Sequence, residues 1–281
     1  MTRPPPAGIL GAPPGPALSS PTPAAPEPDA ARLASNLDAV RARIAAACAA
    51  AGRDPADVQL LAVTKAAPPE LTAALRDLGV VDLGENRLPG FDAKLAHFAA
   101  TGRAARWHYV GHVQRNKARR VVERADVLHA VDSARLLEAV LRHADELGRR
   151  PDLYLQVKVT AEDAKGGLDP AELAPVIARA AGAAAAGGPR LLGLMAMAPL
   201  CPGADEPARR TAARAAFDAV AALAAEHAAA FPDGRPALSL GMTGDLEEAV
   251  AAGSTCVRVG SALFAGLLPP RPTPDQVPHG T

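Results

Sequence analysis

Short apolar runs rich in β-branched residues alternate with segments of helical spacing along most of the chain. The runs cover residues 58–64, 80–84, 107–111, 126–131, 153–159, 191–197, 237–241 and 256–259. Nearly every gap between two runs contains apolar residues three or four positions apart, which is the spacing of an amphipathic helix. The pattern therefore predicts eight strands that alternate with helices.

Eight strands joined by crossover helices are typical of a closed, TIM-type (β/α)8 barrel in the α/β class. Roughly 200 residues separate the first strand from the last, which suits a compact barrel. An open, doubly wound sheet is the alternative. The strand count favours the barrel, and the first strand lacks the Gly-x-Gly-x-x-Gly turn that a dinucleotide-binding sheet carries.

Both ends of the chain differ in composition from its middle. Residues 1–28 contain ten prolines among Ala, Gly and Ser, and residues 269–281 contain five more. Such segments cannot bury enough apolar surface to offset the entropy of ordering. We expect a disordered tail over 1–28, one barrel domain over 29–268 and a loose tail over 269–281. Asp29 is placed to cap the first helix and Gly52 to end it.

Composition narrows the choice of partner. Thirty basic residues balance thirty acidic ones, which argues against a nucleic-acid binder or a protein held on lipid by charge alone. No run approaches the roughly 20 apolar residues of a membrane span. The three cysteines are far apart and show no metal or disulfide spacing. We therefore expect a cytoplasmic protein with a small-molecule partner.

A local basic cluster surrounds one predicted helix. A solvated face is the simpler interpretation, and a site for a phosphate-bearing ligand or RNA is the alternative. The cluster consists of Arg103, Arg106, Arg115, Lys117, Arg119, Arg120 and Arg124.

Barrel active sites lie at the C-terminal ends of the strands, so the residues that follow each run should meet at one rim. Lys65 follows the first run, where a lone ammonium suggests a functional amine, although a strand-end lysine is more often a solvated surface residue. The later groups are Gly84-Glu85-Asn86, His112 with Gln114 and Asn116, Asp132-Ser133, Lys165-Gly166, Met197-Ala198, Gly241-Met242-Thr243-Gly244 and Gly260-Ser261.

The last two groups are suited to an anion. Thr243-Gly244 precedes a predicted helix over 245–252, and Gly260-Ser261 opens a predicted final short helix. Each group offers a hydroxyl and free backbone N–H groups at a helix start. Barrels often bind phosphate in the loops after strands seven and eight, where these groups fall. The alternative is that Gly244 and Gly260 only permit tight turns.

Arg258 lies within the eighth strand run, where a buried charge is costly without a partner. A ring nitrogen or a carboxylate of a bound ligand is one possible partner, and a structural salt bridge to Glu85 or Asp132 is the other. A lysine, a phosphate cradle and an arginine between them describe a site for a phosphorylated aldehyde. Pyridoxal phosphate fits this description best.

Eight motifs in order resemble the YggS/PROSC family of pyridoxal phosphate homeostasis proteins, which look like the barrel domain of alanine racemase. Each motif is weak alone, whereas the ordered set is strong. The motifs are LLAVTK, LGEN, WHYVGHVQRNK, HAVDS, KVTAEDAKGGL, LLGLMAM, LSLGMTGDLEEAVAAGST and VRVGSALF, between about Leu60 and Gly266.

The resemblance implies roles for particular residues. Lys65 would hold pyridoxal phosphate as a Schiff base, and Arg258 would face the pyridine nitrogen. Such an arginine disfavours protonation of that nitrogen and weakens the ring as an electron sink. Asn86 would lie near the ring, and Lys165 matches a second lysine that could accept the aldehyde or neutralise a ligand. Contacts to the phosphate and to the rest of the cofactor would come from Thr243, Gly260, Ser261 and Met242.

Three positions depart from the family pattern. Arg87 stands where an aromatic residue is usual, Ala66 where a hydroxyl is usual and Thr243 where serine is more common. Threonine keeps the hydroxyl, whereas the ring-packing contact of the family's aromatic residue is not carried over to Arg87.

Two function classes follow. The first is a non-enzymatic protein that stores pyridoxal phosphate and delivers it to apo-enzymes, and the second is a racemase-like enzyme. Alanine racemase adds a C-terminal β domain and a tyrosine from a partner subunit as a second acid/base group. The only tyrosines here are Tyr109 and Tyr154, both in predicted strands, which favours the first class. A monomer is expected, because no helical face demands a partner subunit.

His108 and His112 are four residues apart, a spacing that would suggest a zinc site on a helix. They lie instead on a predicted strand and at its end, so we expect no metal site there.

Overall fold

A computed structural model describes residues 30–159 and 166–268. Its eight parallel strands follow chain order around a closed barrel, and β1 pairs with β8 to complete the closure. The predicted barrel is confirmed, whereas the predicted tails and Lys165 lie outside the described residues. The strands are β1 (Gln59–Val63), β2 (Asp82–Glu85), β3 (Arg106–Tyr109), β4 (Val127–Val131), β5 (Asp152–Gln156), β6 (Leu191–Met195), β7 (Ala237–Ser239) and β8 (Cys256–Val259).

Helices cover the outside of the barrel and connect successive strands. Short 3₁₀ turns occur at Pro55–Asp57, Arg115–Lys117, Ala228–Ala230 and Pro232–Gly234. The α-helices of the described part are α1 (Ala30–Ala50), α2 (Pro69–Asp77), α3 (Leu88–Ala100), α4 (Ala118–Arg124), α5 (Ala134–Glu146), α6 (Pro170–Ala185), α7 (Glu206–Glu226) and α8 (Leu246–Ala251).

Helix α1 precedes the barrel and packs on it. Its apolar stripe, predicted from the spacing of Leu33, Leu37, Val40, Ile44 and Cys48, is buried. The helix ends two residues before Gly52, which has a left-handed φ of 64° that glycine adopts without a steric penalty. Asp29, the predicted cap, lies outside the described residues.

The prediction of a final short helix after Gly260 is wrong. Residues 261–267 form consecutive hydrogen-bonded turns, in which the N–H of Leu263 donates to Gly260 O (3.1 Å) and the N–H of Leu267 to Phe264 O (3.1 Å). A helix of this length gains few i to i−4 bonds for the residues it orders, so isolated turns compete with it.

The barrel has two apolar regions. The larger lies between the helices and the outer face of the sheet. The smaller lies inside the barrel and is formed by Val127, Ala130, Tyr154 and Met195. The side chains of His108, His129 and Ser239 are also buried and bonded to one another. The barrel interior is therefore partly polar.

The basic cluster predicted around one helix is mostly paired with carboxylates. Arg115 and Lys117 make no ion pair within the part of the chain that the structure describes. The pairing favours the interpretation of a solvated surface. The pairs are Arg103–Asp77 (2.7 Å), Arg106–Asp152 (2.6 Å), Arg119–Glu146 (2.5 Å), Arg120–Asp92 (2.8 Å) and Arg124–Asp92.

None of the helices in residues 30–159 and 166–268 combines the length and apolar character needed to cross a bilayer. Cys48, Cys201 and Cys256 are free thiols.

The buried histidines predict how stability depends on pH. Burial lowers the pKa of both His108 and His129, whereas in the unfolded chain each titrates near its ordinary value of about 6.5. As the pH falls below that value, the unfolded chain takes up protons that the folded chain does not. The free energy of unfolding should then decrease by up to about 1.4 kcal/mol per pH unit for each histidine.

Urea denaturation between about pH 7.5 and pH 5.5 measures this dependence. His129→Gln should reduce the slope by the share of one histidine, whereas His227→Gln, at a less buried position, should leave it unchanged. Equal slopes for the wild type and His129→Gln would show that His129 is not held neutral.

Candidate functional site

A cavity of about 720 Å³ opens at the C-terminal ends of the strands. Seven of the eight residues predicted from the sequence to bind a cofactor line it, and Lys165 lies outside the described residues. The seven are Lys65, Asn86, Met242, Thr243, Arg258, Gly260 and Ser261. The structure thus brings the predicted residues together, and a volume of this size accommodates a small molecule.

A groove of about 800 Å³ lies elsewhere, on the outer surface between α1, α7 and α8. Alanines form much of its lining, and its arginines are paired with carboxylates of the same groove, such as Arg43 with Glu247 (2.9 Å) and Arg214 with Asp218 (2.8 Å). Because each arginine of the groove already has a carboxylate partner, the smaller cavity at the barrel mouth is the better candidate.

Lys65 stands just beyond β1 on an anchored backbone. The N–H of Thr64 donates to Gly84 O (2.8 Å) and its hydroxyl to Glu85 Oε1 (2.7 Å). The buried ammonium of Lys94 donates to Thr64 O (3.1 Å) and pairs with Glu85. Lys65 itself is exposed, and its ammonium has no hydrogen-bond partner among the described residues. Its amine is therefore available to a ligand in the cavity.

Asn86 follows β2 and is positioned by its main chain. The Tyr109 hydroxyl donates to Asn86 O (3.1 Å). The backbone of Gly111 passes so close that a Cβ there would lie 2.8 Å from Asn86 Cα and 2.9 Å from Asn86 C. Only glycine allows this approach without displacement.

The predicted anion cradle places two hydroxyls side by side. Ser261 Oγ lies 3.1 Å from Thr243 Oγ1. The backbone N–H groups of Thr243, Gly244 and Ser261 make no hydrogen bond with the described residues. The carboxylate of Asp245 accepts from the N–H of Met242 (2.5 Å) and shapes the first of the two loops. Hydroxyl and amide donors of this kind suit phosphate oxygens.

Glycine at position 260 is also required for steric reasons. A Cβ at this position would lie 2.9 Å from Val63 O and 3.4 Å from Val63 Cβ, so glycine permits the end of β8 to approach the end of β1. No comparable neighbour lies within 4 Å of a Cβ built at Gly244. The turn interpretation therefore has steric support at Gly260 and none at Gly244.

Arg258 is 5% exposed and meets no carboxylate. Its guanidinium donates to Ser239 O, to Ser239 Oγ (2.8 Å) and to Ala196 O (2.9 Å). The alternative of a salt bridge to Glu85 or Asp132 is wrong, since Glu85 pairs with Lys94 and Asp132 with His112. A guanidinium has five N–H groups, so two remain without an acceptor among the described residues. Since Arg258 lines the cavity, these groups can bind an acceptor of a ligand.

His112 and Asp132 form a polar pair at the rim. His112 Nδ1 lies 2.9 Å from Asp132 Oδ2, and the histidine lines the cavity. His108, in contrast, is buried inside the barrel and contacts Asp82 and His129. The two histidines therefore do not converge on one metal. Within residues 30–159 and 166–268, no three His, Cys, Asp or Glu side chains form a cluster that could hold an ion.

Several lining residues were not predicted from the sequence. Met195, at the end of β6, lines the cavity, and Gln156 donates to Gly166 O beside it. These side chains lie on or just after strands, and an inward direction can be assigned only once the register of the closed sheet is known. The other additions are Val63 and Val110, whereas His112, Gly166, Met197 and Gly244 belong to the residue groups that were expected at the rim.

The arrangement combines three chemical capacities. Lys65 supplies an amine, Thr243 and Ser261 supply hydroxyls for an oxyanion, and Arg258 supplies fixed N–H donors. Together they suit a small molecule that carries an aldehyde, a phosphate and an acceptor nitrogen. Pyridoxal phosphate carries all three groups.

The fold and site define a known class of barrel domain. A family model described as alanine racemase, N-terminal domain, matches residues 29–268, and the chain belongs to this family. An alanine racemase of Streptomyces lavendulae shares the fold, with a TM-score of 0.61 at 20% identity over 84% of this chain and 57% of that one.

Relatives of higher identity define the particular group. A protein of Mycobacterium tuberculosis is 38% identical over 81% of this chain and 90% of its own length, and one of Escherichia coli K12 is 35% identical over 83% and 95%. Both are named pyridoxal phosphate homeostasis protein. The structure of PipY from Synechococcus elongatus PCC7942 with PLP bound has a TM-score of 0.69 at 34% identity, covering 83% of this chain and 99% of that chain. The chain belongs to the pyridoxal phosphate homeostasis protein family, as its motifs indicated.

The close approach at Gly111 predicts a specific effect of adding one methyl group. Gly111→Ala should displace Asn86 and weaken ligand binding in the cavity by roughly tenfold, at a cost of about 1–3 kcal/mol in stability. Gly182→Ala in α6 is a matched control, because no atom lies within 4 Å of its added Cβ. It should be neutral or slightly stabilising. Titration calorimetry with pyridoxal phosphate and thermal denaturation measure both effects, and equal behaviour of the two variants would contradict the assigned contact.

Proposed function

We propose that this chain binds pyridoxal phosphate through Lys65 and serves its homeostasis as a non-catalytic carrier that delivers the cofactor to apo-enzymes. One observation carries the proposal: Lys65, the Thr243–Ser261 hydroxyl pair and the anchored Arg258 guanidinium line the same cavity. The relatives named for pyridoxal phosphate homeostasis and the PLP-bound PipY structure support the choice of ligand. We propose further that the chain acts as a cytoplasmic monomer.

Each of these residues has a proposed role in binding the cofactor. Lys65 would hold the aldehyde of pyridoxal phosphate as a Schiff base, whose formation releases one water molecule. Thr243, Ser261 and the backbone at Gly260 bind the phosphate, while Asn86 and Met242 contact the remainder of the cofactor. Lys165 is a second lysine that can accept the aldehyde or neutralise a ligand. The cofactor itself supplies a reactive aldehyde and a ring that can draw electrons from a bound amino group.

Arg258 favours binding of the cofactor over catalysis with it. Its guanidinium has only donors and is fixed by two carbonyl oxygens and a hydroxyl. Opposite the pyridine nitrogen, it would donate to the lone pair and oppose protonation there. An unprotonated ring withdraws electrons weakly, so a bound amino acid would lose its α-proton slowly.

A racemase-like enzyme is the second candidate. It needs an acid/base group opposite Lys65, and both tyrosines are buried, Tyr109 against Asn86 O and Tyr154 inside the barrel. His112, paired with Asp132 at the rim, is the titratable side chain that keeps this candidate testable.

Borohydride reduction of the loaded protein tests the covalent link. The peptide containing Lys65 should carry the reduced label in mass spectrometry. Lys65→Arg should lose the label and the Schiff-base absorption, because it keeps a positive charge but lacks a nucleophilic amine. Lys117→Ala removes an exposed lysine that does not line the cavity and should behave as the wild type. A reducible label that persists at Lys165 or another lysine in Lys65→Arg would refute the assignment.

Transfer of the cofactor tests the homeostatic role. Loaded wild-type protein should reactivate an apo form of a pyridoxal phosphate enzyme even when a phosphatase destroys the free cofactor. Lys65→Ala, mixed with the same total amount of cofactor, should not. A loaded protein that never releases its cofactor would contradict delivery, and steady turnover of a D- or L-amino acid, reduced in His112→Ala, would establish the enzymatic alternative.

A further inference from the structure

A continuous chain of hydrogen bonds crosses the barrel interior. It runs from Arg258 Nη1 to Ser239 Oγ (2.8 Å), from Ser239 Oγ to His129 Nδ1 (2.8 Å), from His129 Nε2 to His108 Nδ1 (2.9 Å) and from His108 Nε2 to Asp82 Oδ1 (2.9 Å). Arg258 lines the cavity, and Asp82 is the first residue of β2, at the opposite end of the barrel. The two ends of the chain are thus a cation and a carboxylate.

The chemistry of these two ends determines which atom carries each proton between them. The Asp82 carboxylate can only accept, so His108 Nε2 carries a hydrogen and, with a neutral ring, its Nδ1 is an acceptor. His129 Nε2 must then donate to His108 and accept at its own Nδ1. Ser239 therefore donates to His129, which leaves a lone pair of its oxygen for Arg258. All four hydrogen bonds point from Arg258 toward Asp82.

The charge states agree with this direction. Burial alone would raise the pKa of Asp82, but hydrogen bonds from His108 and Gln59 outweigh it and lower the pKa, so Asp82 is a carboxylate. Burial lowers the pKa of His108 against the opposing effect of Asp82. Burial, together with His108 and Arg258, lowers the pKa of His129. Both rings are therefore neutral, as the direction of the chain requires.

The position of the chain argues against a purely space-filling role. Small barrels fill their interior with branched apolar side chains, and a buried polar group is costly unless it is bonded. Here His108, His129 and Ser239 are at most 1% exposed, and each ring nitrogen has a partner. The polar chain ends at Arg258, which lines the cavity.

We propose that His108 and His129 are positioning residues that hold the Ser239 hydroxyl in the single orientation in which it accepts from Arg258, and so fix the plane of the guanidinium toward the ligand. The inference rests on the proposed function only for the identity of that ligand. Without the histidines, the Ser239 hydroxyl can turn its hydrogen toward Arg258, and one of three anchors of the guanidinium is lost.

The charged and titratable groups near the pair come from several strands. Tyr154 stacks on His129 with ring centroids 4.5 Å apart, and Arg106 and Cys256 contribute to the local electrostatics together with Asp82 and Arg258. Burial raises the pKa of Cys256 to about 12, so the thiol is neutral and cannot stabilise a protonated histidine.

The first test needs no ligand. Long-range ¹⁵N–¹H NMR on protein labelled at histidine reports which ring nitrogen is protonated. Between about pH 6 and pH 8, both His108 and His129 should be neutral rings protonated at Nε2. A ring protonated at Nδ1, or a cationic ring in that range, would overturn the direction of the chain whether or not the protein binds pyridoxal phosphate.

The second test uses variants of His129. Leucine can neither accept from Ser239 nor donate to His108, whereas glutamine can do both through its amide. His129→Leu should weaken binding of pyridoxal phosphate by roughly tenfold and shift the absorption spectrum of the bound cofactor, and His129→Gln should recover most of both. Tyr154→Phe is the control, since it changes the packing beside His129 without altering the hydrogen-bond chain, and it should bind as the wild type.

If His129→Leu does not fold, Ser239→Ala removes the acceptor with little change in volume and carries the same expectation. A folded His129→Leu or Ser239→Ala variant that binds with unchanged affinity and spectrum would refute the positioning role. If the wild type bound no pyridoxal phosphate while the NMR result held, the proposed function would fail and the direction of the chain would stand.

Discussion

The pairing of β1 with β8 is the constraint on which the rest of the site depends. It closes the sheet, and its register sets Leu61 opposite Arg258 and Ala62 opposite Val259. Residues that are almost 200 positions apart in sequence thus become neighbours at one rim. Gly260 permits this closure, because any side chain there would collide with Val63 O. An amine that follows β1 and hydroxyls that follow β7 and β8 can therefore face the same small molecule.

The polar groups of the site are supported by buried partners on either side. Behind Lys65, the Lys94–Glu85 pair and Thr64 fix the ends of β1 and β2. Behind Arg258, carbonyl oxygens and Ser239 satisfy the guanidinium. Burying charges is costly unless each has a partner of good geometry. The barrel meets this condition with main-chain carbonyls and neutral side chains at Arg258, and it thereby leaves the cation free to act on a ligand.

Much of the fold and of the site could be predicted because parallel strands place their C-terminal ends on one side. Once eight strands were assigned from apolar runs, Lys65, Thr243 and Ser261 had to lie at the same rim. The partners of Arg258 could not be predicted, because most of them are main-chain carbonyl oxygens. Every residue has such an oxygen, and only the register of the closed sheet brings these particular ones close to Arg258. The inward direction of His129 and Gln156 depends on the register of the closed sheet in the same way. The helix expected after Ser261 was wrong because local turns satisfy so short a segment equally well.

A structure of the protein crystallised with pyridoxal phosphate tests the central claim most directly. The account predicts continuous electron density between Lys65 Nζ and the aldehyde carbon of the cofactor. It also predicts the phosphate against Thr243 and Ser261, and the pyridine nitrogen within hydrogen-bond distance of Arg258. Density that joined the cofactor to another lysine, or a phosphate bound away from the two hydroxyls, would contradict it.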